Sequence, residues 1–568
     1  MRYQKFPLRR FIIRSPESTS SETKLFKYKG IRYAMLILKR EDIKRYWKII
    51  LIISLIAFAK TSLIIFSSDF IGWDSEFHGY LTELLINGEK MDYLSPATLG
   101  TGGYNESPLF YYFNYLVYQI FRCNMILYFR FAVFLITFLT LLSFFFLSKE
   151  ILKNEKLAIL SLIIYSLISS VPTYAPSNFL IFEFLFLLFL YRFYKHENLV
   201  NSFLCGIMLG LSFLNHHEAG VYLGICFAYT ILSKSIFQRD LNTLKFGIFG
   251  ICISLLLAST TIIPAYINNE IYLPSSVTPL PSISSPQSGP SKVESSGVTL
   301  RLFNFIYLFG NYNSYLIFLV LLGSFYSFKR EKLTGYFLIV LIVLLLISSN
   351  LRFLNPNISY PRRGFSHALS LMCILGVYGL RFIDLSLKNR KLQAITFIII
   401  FFSFFLYQVK ENIVTARYEP KLDSEIKPVA LYIKENWDKD YIILTDLESR
   451  YHLSFLLGNR QVYPMNLNLK DMEYYKRTNL DKEVLNILIC SDEGEIKKFL
   501  EKNNIKLIVI RKNFDASNTL IVKRICAVTH SKVKDYSKIY VENTEIWKDY
   551  NFLEVIYEDE YCILYLKK

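Results

Sequence analysis

Pro108-Leu109-Phe110-Tyr111-Tyr112-Phe113-Asn114-Tyr115-Leu116-Val117-Tyr118-Gln119-Ile120-Phe121 decides how this chain is threaded. Counted as a membrane span, it reverses the side of every loop that follows. Counted as a helix lying along a surface, it leaves them in place. Coiled as a helix the stretch rises about 21 Å, short of the roughly 30 Å of hydrocarbon that a span must cross. Its tyrosines and phenylalanines suit the membrane–water boundary.

Positive charge settles the choice. Residues 1–48 hold fourteen Lys/Arg against four Asp/Glu, and a basic segment before a first span stays in the cytoplasm. Spans are expected at about 47–67, 126–148, 157–173, 178–193, 200–215, 219–233, 245–266, 313–328, 334–350, 365–384 and 391–409, eleven in all. The inner loops then collect fifteen Lys/Arg, from Lys149 to Lys391; the later outer loops hold far fewer, Lys292, Arg352, Arg362 and Arg363 among them. Making 108–121 a span would reverse that bias, so it reads as an interfacial helix on the outer face.

The composition agrees, with 52% hydrophobic and 16% aromatic residues in 568. This is a mostly α, multi-pass protein of the plasma membrane, its N-terminus cytoplasmic. Its parts are a basic N-terminal segment (1–46), a polytopic domain (47–409) and an extracytoplasmic α/β domain (410–568). In the last, 441–445 and 505–510 read as strands, 493–502 as a helix, and 552–557 with 561–566 as a hairpin. The net charge of +17 lies mostly before the first span and no recognition fold accompanies it, which excludes a nucleic-acid partner. No apolar stretch with a small-residue cleavage site follows the first basic residues, so the start does not read as a cleavable signal. The eight cysteines are scattered, with no CxxC pair, and indicate neither a zinc site nor a disulfide framework. The Pro/Ser/Gly-rich loop 273–297 is either a flexible connector or a lid over an outer site.

Polar residues gather at the outer edge. Gly72-Trp73-Asp74-Ser75-Glu76-Phe77-His78 follows the first span. Asp74 is either a plain N-cap with Glu76 as a first-turn acid, or part of a reacting centre. On a helix starting at Asp74, His78 shares its face and Glu76 is turned away, so Asp74 and His78 are matched as base and orienter or as metal ligands. His216, His217 and Glu218 form a second outer turn, where ionisable groups either stay solvated or face a cavity. Arg362 and Arg363 defy the charge bias and suit either bidentate phosphate binding or lipid headgroups. Lys60 in the first span is expected to snorkel outward, and Glu183 in the fourth lacks a nameable mate.

With these residues the chain resembles the GT-C superfamily of polytopic glycosyltransferases. The shared features are the acidic motif after span one (Gly72, Asp74, Phe77, His78, Gly88, Glu89), the aromatic 108–121 helix, Arg130 opening the second span, the His216 turn and the outer α/β tail. The Asp-x-x-Phe-His form is most similar to prokaryotic membrane proteins described as 6-pyruvoyl-tetrahydropterin synthase-related, a description that states no chemistry. The resemblance implies transfer of a sugar from a polyprenyl-phosphate donor, in the lipid bilayer, to a glycan, lipid or protein acceptor at the outer face. It implies Asp74 as base for an inverting displacement, helped by His78 and Glu76. Arg362 and Arg363 would meet the leaving phosphate, His216, His217 and Glu218 the acceptor, and Tyr111 and Tyr112 the sugar or polyprenyl chain. A divalent cation, Mg or Mn, would sit on Asp74 and His78. Oligosaccharyltransferases carry an acid in the next outer loop; in this chain 171–178 reads Val-Pro-Thr-Tyr-Ala-Pro-Ser-Asn, without one. A flippase for lipid-linked glycans predicts paired repeats with broken helices, and none is visible. A non-catalytic anchor for the tail predicts tolerance of alanine at Asp74, His78 and Arg363.

Overall fold

A computed structural model describes residues 40–66, 82, 85, 86, 108–122, 125–169, 179–238, 241–267, 314–348, 361–417, 421–437, 441–446, 449–457, 462, 463, 483, 484, 486–490, 492–512, 540 and 546–568. Residues 1–55 form one compact unit and 56–568 a second. The bundle from Ile56 onward and the sheet that follows it both belong to the second.

Eleven helices answer the eleven apolar stretches: α1 (Arg40–Phe66), then α3 (Met125–Leu152), α4 (Glu155–Ile168), α5 (Ile181–Lys195), α6 (Leu199–Asn215), α7 (His217–Gln238), α8 (Leu241–Ile267), α9 (Ser314–Arg330), α10 (Lys332–Ser348), α11 (Pro361–Ser386) and α12 (Arg390–Arg417). The aromatic stretch is α2 (Pro108–Phe121), fourteen residues long. Among the described residues, five helices are long and apolar enough to cross a membrane: Leu127–Leu152, Ala219–Ile236, Leu241–Thr260, His367–Ser386 and Arg390–Lys410. The last helix overruns its expected end at 409. Its apolar stretch gives way to Val409-Lys410-Glu411-Asn412-Ile413, none of which breaks a helix, and the first proline comes at Pro420.

Local sequence explains the tight reversals. Between α3 and α4, Lys153 adopts a left-handed φ of 52°, and Asn154 caps α4 through Oδ1, accepting from the amides of Lys156 (3.0 Å) and Leu157 (3.2 Å). Asn198 caps α6 by accepting from the Asn201 amide at 2.8 Å. Where α6 crosses α8, a side chain at Gly206 would collide with the carbonyl of Gly250; where α9 crosses α11, one at Gly379 would collide with the carbonyl of Leu319. Small residues let backbones meet where lipid offers no hydrophobic drive to association.

After α12 come α13 (Lys421–Asn436), β1 (Ile442–Thr445), α14 (Ser449–Leu457), α15 (Glu493–Lys502), β2 (Ile505–Arg511), β3 (Leu553–Glu558) and β4 (Cys562–Lys567). The four-stranded sheet has the order β1-β2-β4-β3, with β1 parallel to β2 and the other pairs antiparallel. Along β2, Ile508 and Ile510 join one core with Leu444, Phe499 and Trp547. Leu507 and Val509 join the opposite core with Val429, Leu453 and Leu564. The two-residue alternation of a strand covered on both faces produces this. Burial pushes the Cys562 thiol on β4 up to about 12.

Candidate functional site

Helix direction sorts the polar groups into two ends of the bundle. At one end lie the basic reversals, where charges pair: Arg192 with Glu150 at 2.7 Å, Lys149 with Glu155 at 3.7 Å, and Lys234 with Glu197. At the other end α4 and α6 finish while α3, α5, α7 and α11 begin.

At that second end sits a buried carboxylate–imidazole pair. Glu183, the third residue of α5, brings Oε2 to 2.7 Å from Nδ1 of His367, the seventh residue of α11. They are 3% and 7% exposed, so the pair is cut off from bulk water. Burial of an acid among apolar helices is costly unless something shares its charge or its hydrogen bonds, and His367 gives one oxygen a hydrogen-bond partner. The second oxygen, Oε1, is buried with no hydrogen-bond partner among the described residues.

The pair has polar and aromatic neighbours. The His216 ring centroid lies 6.3 Å from that of His367, and the Tyr222 ring stands edge-on at 5.8 Å. His216 occupies the reversal between α6 and α7, where its Nδ1 accepts from the Ala219 amide at 3.3 Å. Asn215, just before it, donates from Nδ2 to the carbonyl of Phe179 at 3.1 Å. Phe179 stacks on Phe113 at 4.8 Å and meets Phe110 edge-on at 6.3 Å, which joins the histidine turn to the aromatic wall of α2.

That wall is pinned from behind. Tyr111 is fully buried, whereas Tyr112, the next residue round the helix, is half exposed. Asn114 Nδ2 bonds back to the Phe110 carbonyl at 2.7 Å, and the Tyr128 hydroxyl of α3 donates to the Asn114 carbonyl at 2.5 Å. Leu456 of α14 packs against this cluster, so the tail touches the bundle at the wall. Lys60 donates to the carbonyls of Ser166 (2.9 Å) and Ser169 (2.8 Å), where an ammonium meets the negative end of the α4 dipole.

The expected site residues divide into three groups. His216, Tyr111 and Tyr112 lie along the wall and turn just described. His217 and Glu218 open α7, and Arg362 and Arg363 sit in the first turn of α11, Arg363 one turn before His367; their side chains lie outside the described residues. Asp74, Glu76 and His78 lie wholly outside them. Sequence reasoning left Glu183 without a mate and passed over His367. The signal was there: each is an isolated titratable group near the start of an apolar helix, and both helices start at the same end. No group of three or more His, Cys, Asp or Glu able to hold a metal ion occurs among the described residues.

In the tail, Arg511 at the end of β2 reaches Glu425 and Asp446, each at 3.6 Å, in a buried ionic network. Asp446, just past β1, accepts from the amide (2.9 Å) and hydroxyl (2.5 Å) of Ser449 and so fixes the start of α14.

Residues 105–263 match the family model described as dolichyl-phosphate-mannose-protein mannosyltransferase. No curated protein matches the chain. Among solved structures, ArnT from Cupriavidus metallidurans bound to undecaprenyl phosphate is similar with a TM-score of 0.56 and 10% identity, over 91% of this chain and 97% of that one. The oligosaccharyltransferase AglB from Archaeoglobus fulgidus, in complex with an inhibitory peptide and a dolichol-phosphate, gives 0.53 and 12% over 88% and 72%. The Archaeoglobus fulgidus oligosaccharyltransferase in complex with Zn and sulfate gives 0.51 and 12% over 82% and 68%. The fold of this chain is that of the GT-C membrane glycosyltransferases.

Proposed function

We propose that this protein transfers a sugar from a polyprenyl-phosphate carrier to an acceptor at the extracytoplasmic face of the plasma membrane, with inversion. One observation carries the reading. A bundle with the GT-C fold gathers a buried acid, two histidines and an aromatic wall at the end opposite its basic reversals. The similar ArnT and AglB structures contain undecaprenyl phosphate and dolichol-phosphate, and a carrier of that chemistry is the donor we assign to this protein.

The chemistry asks for three things. The acceptor hydroxyl attacks the anomeric carbon as the bond from that carbon to the phosphate oxygen breaks, and the electron pair leaves on the phosphate. Positive charge at the phosphate stabilises the transition state; Arg362 and Arg363, opening α11 at this end, are assigned that role. The acceptor proton needs a base on the opposite face of the sugar, and Asp74 is assigned it, with His78 as orienter and Glu76 beside it. Tyr112 presents its half-exposed ring to the sugar or the carrier, while Tyr111 holds α2 to the bundle. A divalent cation, Mg or Mn, would rest on Asp74 and His78. The tail, 410–568, is assigned to the same face, because Leu456 meets the wall.

The test is turnover of carrier-linked sugar in membranes containing the full chain. Asp74→Asn is expected to lower the rate at least 100-fold and Arg363→Ala about 10-fold or more, both with wild-type melting temperatures. A folded Asp74→Asn protein at full rate removes Asp74 as base, and no turnover of any polyprenyl-phosphate sugar by the wild type removes the reading.

A further inference from the structure

We infer that the groove between α9 and α10 seats one anionic glycerophospholipid of the leaflet bordering the basic reversals, with an acyl chain along the groove and the phosphate on Lys329 and Lys332. The seat lies at the end opposite the Glu183–His367 pair and does not depend on sugar transfer.

The reversal that carries it is tight. Glu331 alone separates the two helices, and at Gly335 a side chain would strike the backbone of Phe328. The end of α9 and the start of α10 therefore pass closely, and Lys329 and Lys332 sit together at the turn. That turn belongs to the basic end of the bundle. The Thr334 and Tyr191 hydroxyls are 3.0 Å apart and those of Tyr336 and Tyr229 2.8 Å, next to the ends of α5 and α7 that carry Arg192 and Lys234.

Ser324, Phe325, Phe328, Lys329, Lys332 and Ile339 line an open groove of about 600 Å³, a usual size for a ligand site. From Lys332 to Ile339 it follows α10 for about two turns, roughly 10 Å. Phe325 and Phe328 give it an exposed apolar wall, and Ser324 spends its hydroxyl on the Val320 carbonyl of its own helix at 2.7 Å. Exposed phenylalanines on a membrane helix call for nothing more than lipid, so an acyl chain fills this concavity whatever its headgroup. The lysines select the headgroup. At the other reversals Lys149, Arg192 and Lys234 each meet a carboxylate. Lys329 and Lys332 are exposed and make no ion pair or hydrogen bond among the described residues. Glu331, between them in sequence, accepts from the Thr334 hydroxyl at 3.2 Å instead, and Arg330 lies over the Tyr326 ring, 6.0 Å from its centroid. Two uncompensated ammonium groups closing an apolar groove complement a phosphodiester that carries acyl chains. A zwitterionic headgroup would bring a cation of its own beside them. Basic pockets between membrane helices recognise anionic headgroups by this combination.

Full-length protein in detergent is titrated with dioleoyl phosphatidylglycerol or dioleoyl phosphatidylcholine, and the first bound lipid is measured by native mass spectrometry. Wild type is expected to bind the anionic lipid at least about 5-fold more tightly. Lys329→Gln/Lys332→Gln should narrow that ratio to within about 2-fold. Lys388→Gln/Lys391→Gln removes the same charge from the exposed reversal between α11 and α12, and should leave the ratio unchanged. Ser324→Phe fills the groove and should weaken phosphatidylglycerol about 5-fold or more; if it fails to fold, the exposed lysine pairs decide alone. A wild type without preference, a preference lost equally in both lysine pairs, or undiminished phosphatidylglycerol binding by folded Ser324→Phe overturns the seat. So does undecaprenyl phosphate binding that weakens in Lys329→Gln/Lys332→Gln while phosphatidylglycerol binding does not, which would give the groove to a polyprenyl carrier.

Discussion

Glu183 and His367 are 184 positions apart in sequence and 2.7 Å apart in space. Deleting one partner of such a buried pair strands the other, at a cost of about 3–5 kcal/mol, whereas exchanging both for apolar groups is often nearly neutral. Glu183→Leu and His367→Leu should each lower the melting temperature in detergent, and the double variant should recover most of the loss. A double variant destabilised by the sum of the two singles would show that the two side chains do not depend on each other. The acid was legible in the sequence as a group in need of company, because an ionisable residue in an apolar helix is expensive. Its partner was not, since hydropathy averages a single histidine into the span around it.

At the scale of elements, most of the architecture could be read in advance. Among the described residues each apolar stretch holds a helix, five of them long and apolar enough to cross a membrane, and the runs 441–445, 505–510, 552–557 and 561–566 hold the strands. Hydropathy and period act within one segment and leave their mark there. Which helix meets which is written in small residues, whose meaning needs the neighbour. At Gly379 a side chain would strike the Leu319 carbonyl, while at Gly224 an added Cβ meets no atom within 4 Å. Gly379→Leu should therefore force α11 from α9 and lower stability by about 1–3 kcal/mol or more in a detergent melt. Gly224→Ala should be neutral or should raise stability by up to roughly 1 kcal/mol through helix propensity. Similar effects from both would mean that the close crossing is not what sets the packing.

For the whole molecule, the gathering of the lysine- and arginine-rich reversals at one end of the bundle was legible from the distribution of those residues, because that bias is a property of the whole chain. The contact between tail and bundle was not: Leu456 reads as one more apolar residue in a short amphipathic helix, yet it packs against the wall formed by α2 and α3. Leu456→Asp should loosen that junction and speed proteolytic cleavage between the bundle and the sheet at least several-fold, leaving the bundle resistant. An unchanged digestion pattern would show that the tail is held elsewhere.

The hydrogen bond from Asn215 to the Phe179 carbonyl has one more consequence. It ties the phenylalanine that stacks on α2 to the residue beside His216. Losing that amide, as in Asn215→Leu, would take a donor from the Phe179 carbonyl and loosen the link between the α6–α7 reversal and the aromatic face of α2.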